Sequence, residues 1–207
     1  RRQLCRVAGV HLLRVHYVCP GEIDDVLIDG IATGPKIVKY LDIPIQHCNS
    51  KILKLMNRRG DGDFLRALLK KLRAKIPGLV IRTSLITGLP GEGEEEFREL
   101  CDFLRETKME RVGAFAFSPE EGTPAAEMEH VDTETAQKRA EIVEMLQSEI
   151  MDEWSASMIG KTLEVLVDGY DEEAEQFYGR TYADSPDIDG RVWIASDEPV
   201  QEGEFVM

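Results

Sequence analysis

From Leu12 to Phe117 the apolar residues switch repeatedly between a spacing of two and a spacing near 3.6, which restricts the chain to parallel strands joined by right-handed helical crossovers. Residues 12–18 (LLRVHYV), 39–45 (KYLDIPI), 79–87 and 111–117 (RVGAFAF) read as strands. Between them, residues 23–31 predict a helix with Ile23, Val26, Leu27 and Ile31 on one face, and residues 52–56 a short helical stretch. Asp63 is placed to cap a longer helix that turns Phe64, Leu65, Leu68, Leu69, Leu72 and Ile76 inward and stops at Pro77-Gly78. Residues 94–107 predict a last crossover helix burying Phe97, Leu100, Cys101 and Leu104, with Glu94, Glu95 and Glu96 where the helix dipole favours negative charge. Four strands are a partial sheet; a complete βα barrel has eight repeats, so the remaining strands would come from outside these residues.

The sharpest junction is Arg82 to Glu92, RTSLITGLPGE, a strand rich in β-branched residues that stops at Gly88-Leu-Pro-Gly91 and passes into an acidic helix start. Gly88 and Gly91 permit positive φ and close backbone approach at the carboxyl end of a strand, where α/β sheets keep their sites. A tight turn with no ligand accounts for the same glycines.

Beyond Phe117 the pattern changes. Residues 118–124 (SPEEGTP) form a loop just past a strand's carboxyl end, and residues 133–158 read as one long helix with Ala136, Val143, Leu146, Ile150, Trp154 and Met158 at helical spacing, a packing stripe. From Gly160 the period becomes that of short strands, at 162–167, 176–182 and 191–194 and from about Phe205, separated by Asp, Glu, Gly and Pro turns; this predicts a small antiparallel β-barrel. The chain therefore reads as two domains, residues 1–158 and 159–207.

Charge narrows what the second domain can bind. Residues 160–207 contain 13 acidic and 3 basic side chains, a net −10 out of the chain's −14. A nucleic-acid-binding barrel needs Lys and Arg to replace phosphate counterions, whereas an acidic surface favours a basic protein partner. With 43 % apolar residues and no apolar run long enough to span a membrane, the chain reads as a soluble cytoplasmic protein, and its start at Arg1 and end at Met207 within a strand pattern read as a fragment at both ends. Cys5, Cys19, Cys48 and Cys101 are too widely spaced for a metal pair and read as reduced thiols, Cys101 in the core. His47 and Cys48 adjoin at a strand end, but neighbours on a strand point to opposite faces and make a poor base–nucleophile pair.

Five blocks in order, YLDIPIQH (40–47), KILKLMNRR (51–59), RTSLITGLPGE (82–92), GAFAFSPEEGTP (113–124) and YGRT (178–181), resemble the methylthiotransferase branch of the radical S-adenosylmethionine (SAM) enzymes. The resemblance covers nearly the whole chain. It implies an α/β fold, the C-terminal part of a partial six-stranded (βα) radical SAM barrel, followed by a long helix and a truncated TRAM domain as the small antiparallel β-barrel. It also implies a front half with an N-terminal domain carrying three cysteines, a CxxxCxxC motif and two more strands; the four cysteines here match none of those positions.

The implied cofactors are SAM and two 4Fe–4S clusters, with the cluster ligands outside this chain. The implied reaction is methylthiolation of an aspartate of small-subunit ribosomal protein S-twelve, a basic protein. By position, Gly88 and Ile86 would approach the adenine of SAM, Gln46 and Ser50 the ribose or amino-acid part, and Phe117 and Ser118 would close the base side. Arg58 and Arg82 are candidate carboxylate partners. No catalytic residue and no metal ligand follow from the match. Two alternatives stand beside it: a tRNA adenosine methylthiotransferase of the same superfamily, which the acidic barrel disfavours, and a non-catalytic module that docks a basic protein.

Overall fold

Four parallel strands, in the same order across the sheet as along the chain, frame the first of two compact units, Arg1–Ala156 and Ser157–Met207, in a computed structural model that describes residues 4–196 and 200–207. The first unit runs β1 (Leu13–Val15), α1 (Asp25–Thr33), β2 (Ile37–Asp42), α2 (Ser50–Leu55), α3 (Gly62–Lys75), β3 (Val80–Thr87), α4 (Glu94–Thr107) and β4 (Arg111–Ala116), then α5 (Thr133–Met158). This is the βα alternation that the apolar spacing requires.

One sheet face is dry. Leu41 of β2, Ile43 just beyond it and Ile81 and Leu85 of β3 pack with Ile31, Leu72, Leu100 and Leu104 from the helices, and Val143, Leu146 and Ile150 of α5 complete the same core. Each such side chain contributes about 1.5–3 kcal/mol by leaving water. The residues that alternate with them, Arg82, Ser84 and Ile86, are only partly buried and point to the opposite, open face. β3 and β4 are in register from Arg82 beside Arg111 to Thr87 beside Ala116, so Gly113 and Phe115 share that open face.

Three local expectations are corrected. Asp61, not Asp63, caps α3, accepting from the Phe64 N–H at 2.8 Å; Asp63 lies in the first turn, 3.5 Å from Arg66. Phe64 is consequently turned outward over Gly60 rather than into the core. Asp24 caps α1 through the Leu27 N–H, so the buried face is Leu27, Ile28 and Ile31, and Val26 stands 74 % exposed. In each case an aspartate two residues or fewer from the expected start sets the helix phase, and the phase decides which apolar residue is left outside.

The second unit is a four-stranded antiparallel sheet in the order β7 (Val192–Ile194), β6 (Gln176–Arg180), β5 (Val165–Asp171), β8 (Phe205–Val206). β6 ends at Arg180 rather than Tyr182 because buried Asp184 folds back, accepting from the Thr181 N–H at 2.9 Å and the Thr181 hydroxyl at 2.7 Å and closing the chain into a turn. Among the described residues no helix is long and apolar enough to cross a membrane.

Candidate functional site at the carboxyl ends of the parallel strands

The turn after β3 is built around one buried carboxylate. Glu92 Oε1 accepts from the Gly88 N–H at 2.8 Å, closing Gly88-Leu-Pro-Gly91, and Gly88 and Gly91 take φ of +76° and +81°. A Cβ on Gly88 would lie 2.4 Å from the Ala136 Cβ, so this glycine is required both by its conformation and by the helix pressed against it. Further polar groups of the turn are paired within the chain. Lys51 Nζ donates to the Gly91 carbonyl at 2.9 Å and to Glu96 at 2.8 Å, and Glu96 in turn accepts from the Gly93 N–H at 2.9 Å. Those bonds pull the Glu96 carboxyl well below the ordinary range, to about 2.

Glu92 ties its turn to helix α5 and to the loop after the second strand. Arg139 of α5 donates to Glu92 Oε1 at 2.8 Å and to its carbonyl at 3.1 Å, and reaches Glu94 at 2.5 Å. On the other side His47 Nε2 stands 3.2 Å from Glu92 Oε2, short of good hydrogen-bond alignment, and both side chains are fully buried. His47 Nδ1 accepts from the Asn49 N–H at 2.9 Å, which places the ring proton on Nε2, facing the carboxylate. Cys48, on the opposite side of the chain, is buried in the core, and that burial pushes its thiol up to about 12, so the adjacent pair is not a nucleophile and its base.

The residues singled out from the sequence occupy three levels of the open face and its rim. Gln46 holds a positive φ of +69° and bridges to β3, its N–H on the Ser84 carbonyl and its carbonyl accepting from Ile86. Ile86 is half-buried beside Phe115 of the fourth strand, which is 55 % exposed. Phe117 donates its N–H to the Thr87 carbonyl and packs edge-on against His130 at 5.3 Å, while Ser118 and Ser50 are exposed at the rim. Arg82 lies four residues below Ile86, about 13 Å along the strand, and pairs with buried Asp42 at 3.1 Å. Arg58 donates to the Pro44 carbonyl at 3.0 Å. Gln46 and Phe117 are thus both hydrogen-bonded to the end of the strand that carries Ile86.

Phe115 and the Glu92–Arg139–His47 network were not legible beforehand. Phe115 was hidden in a run, RVGAFAF, that reads as a wholly buried strand; the signal was the alternation of Gly113, Phe115 and Phe117 against Val112 and Ala114. For a SAM-like ligand the open face offers an apolar shelf, Ile86 and Phe115, next to unusual backbone at Gln46, a chemistry that fits a nucleoside. For an iron–sulfur cluster it offers nothing: among the described residues no three His, Cys, Asp or Glu side chains are grouped to hold a metal ion.

Comparison with known proteins matches both units. The radical SAM superfamily model matches residues 2–104 and a TRAM domain model matches residues 159–207. Over 206 residues, 99 % of this chain, the sequence is 45 % identical to the ribosomal protein uS12 methylthiotransferase RimO of Acetivibrio thermocellus and 47 % identical to that of an Anaeromyxobacter species. The chain spans 46 % and 44 % of those two proteins, about half their length. Among solved structures, coproporphyrinogen III oxidase HemN from Escherichia coli matches with a TM-score of 0.55 at 20 % identity, over 67 % of this chain and 32 % of that one. Elp3 from Methanocaldococcus infernus matches at 0.51 and 18 %, over 69 % and 34 %. At such identities the two structures speak for the fold alone.

Proposed function

The chain belongs to the radical SAM methylthiotransferase family, and we propose that it serves methylthio transfer to an aspartate side chain of ribosomal protein uS12, in the cytoplasm. The observation that carries the choice of substrate is the charge of the second unit, net −10 over residues 160–207. Its two arginines in the described strands and turns are engaged at home: Arg180 lies 3.4 Å from Asp168, and Arg191 lies 3.6 Å from Asp171 and stacks over Tyr178 at 4.4 Å. A surface of this kind offers few cations to replace phosphate counterions but attracts a basic protein.

Family membership brings SAM and iron–sulfur chemistry, which supply the hydrogen-abstracting species and the methylthio group. This chain's residues position the reactants. Ile86 and Phe115 form an apolar shelf for the adenine, with Phe117 and Ser118 at its outer edge and the Gly88 turn above it. Gln46 and Ser50 lie toward the ribose or amino-acid part. Of the two candidate carboxylate partners, Arg82 is the one on the open face. The buried Glu92 network keeps the turn over the shelf in one conformation, so the ligand meets a preformed wall. Iron–sulfur clusters would be held by groups outside the described residues.

The tRNA reading is separated by the product. In the source organism, deletion of the gene should leave uS12 lighter by one methylthio group and leave tRNA nucleosides unchanged. Loss of a methylthiolated adenosine with uS12 unaltered would overturn the proposal. A docking module without catalysis would leave both unchanged.

A further inference from the structure

Below the Ile86–Phe115 shelf, the open face holds a group of ionisable side chains. Asp42 ends β2 and is completely buried; Arg82, its register partner on β3, reaches its Oδ1 at 3.1 Å. Asp42 Oδ2 is buried and has no hydrogen-bond partner, with His16 Nδ1 standing off at 3.7 Å. Arg14 of the first strand spreads over the Tyr40 ring at 4.3 Å, and His16 packs on the same ring at 5.8 Å. A buried carboxylate oxygen left without a donor is costly, and a site that keeps one is shaped for a group yet to arrive. In a chain of net charge −14, two guanidinium groups gathered on one inward face stand out from the rest of the molecule.

We propose that Asp42 and Arg82, flanked by Arg14 and His16, receive the acceptor residue itself: the guanidinium takes its side-chain carboxylate, and Asp42 Oδ2 takes a main-chain N–H of the acceptor peptide. The proposal rests on the reading of the substrate as an aspartate of a protein. It gives that reading a physical basis, because an aspartyl residue presents a carboxylate and an amide N–H within a few ångströms of each other, matching the paired donor and acceptor of Arg82 and Asp42. Arg suits the task because its planar fork of donors matches the geometry of a carboxylate. The depth is also appropriate. Arg82 leaves the strand about 13 Å before Ile86, room for the acceptor's backbone and β-carbon between the guanidinium and the nucleoside shelf. Asp42 and Arg82 are thus positioning residues that set specificity.

The test is binding of a uS12-derived peptide by the holoenzyme, measured by calorimetry with aspartate and with asparagine at the acceptor position. Wild type should favour the aspartate peptide by about 10–100-fold, the difference made by a hydrogen bond to a charged group. Arg82→Gln should bring the two affinities together. D42N/R82Q should do the same without leaving Asp42 a lone buried anion, so a folding defect in the single variant does not decide the matter. If both variants keep a native circular dichroism spectrum and the wild-type preference, the carboxylate is read elsewhere and the inference falls. If wild type binds and modifies neither peptide, the substrate reading itself is wrong, and the inference falls with it.

Discussion

Arg139 on α5 donates to the Glu92 carboxylate at 2.8 Å with both side chains almost wholly shielded from solvent, tying the turn after the third strand to a helix 47 residues further along. Removing one member of a buried charged pair leaves the other without compensation, at a cost of about 3–5 kcal/mol. Glu92→Ala should therefore lower the unfolding free energy of the first unit by that amount in urea titrations followed by helical circular dichroism. A loss under about 1 kcal/mol would mean that water replaces the carboxylate and that the turn does not depend on it.

Gly88 sits at φ +76° with the Ala136 Cβ 2.4 Å from where its own Cβ would be. Gly88→Ala should cost about 1–3 kcal/mol from overpacking alone, with left-handed backbone strain added. A136G/G88A should recover the overpacking part and retain the strain. Equal stability of the single and double variants would show that the contact is not the constraint.

The strands and helices of the first unit were legible because each apolar period had room to repeat; the expected 94–107 and 133–158 helices match α4 and α5 residue for residue. Helix phase was less legible, since Asp61 and Asp63 are both competent caps and only packing selects between them. The shelf was half legible. Ile86 followed from its motif, but Phe115 needed the register of two strands, and the Glu92–Arg139–His47 network needed two loops and a helix far apart in the chain. The fate of Arg82 likewise depended on Asp42, 40 residues earlier, meeting it across the sheet.

The thiols should divide by burial. Cys48, pushed up to about 12, and Cys101, also raised mainly by burial, should resist iodoacetamide at pH 8 in the folded protein, whereas exposed Cys19 should react. Peptide mass mapping after brief labelling checks this. Rapid labelling of Cys48 without unfolding would contradict the packing around it.

Glu96 carries an acid dependence. Its folded-state pKa, about 2 against an ordinary 4.5, is depressed first by the Lys51 hydrogen bond, so its contribution to stability is present above pH 4.5 and is lost as the pH falls from there toward 2. Glu96→Gln should flatten the stability profile within that window and leave it parallel to wild type above it. The pair is near the surface, so the effect should shrink at high salt. A variant with the same acid slope as wild type would remove Glu96 from the explanation.

The most direct test offers both acceptors at once. The cluster-loaded holoenzyme, given SAM labelled in its methyl group, would be incubated with equal amounts of uS12 and of unmodified tRNA, and the label followed into each. Label should enter the protein, at an aspartate, and be absent from the RNA. Label in tRNA with none in uS12 would show that the acidic second unit does not select a protein substrate, and the proposed function would be wrong.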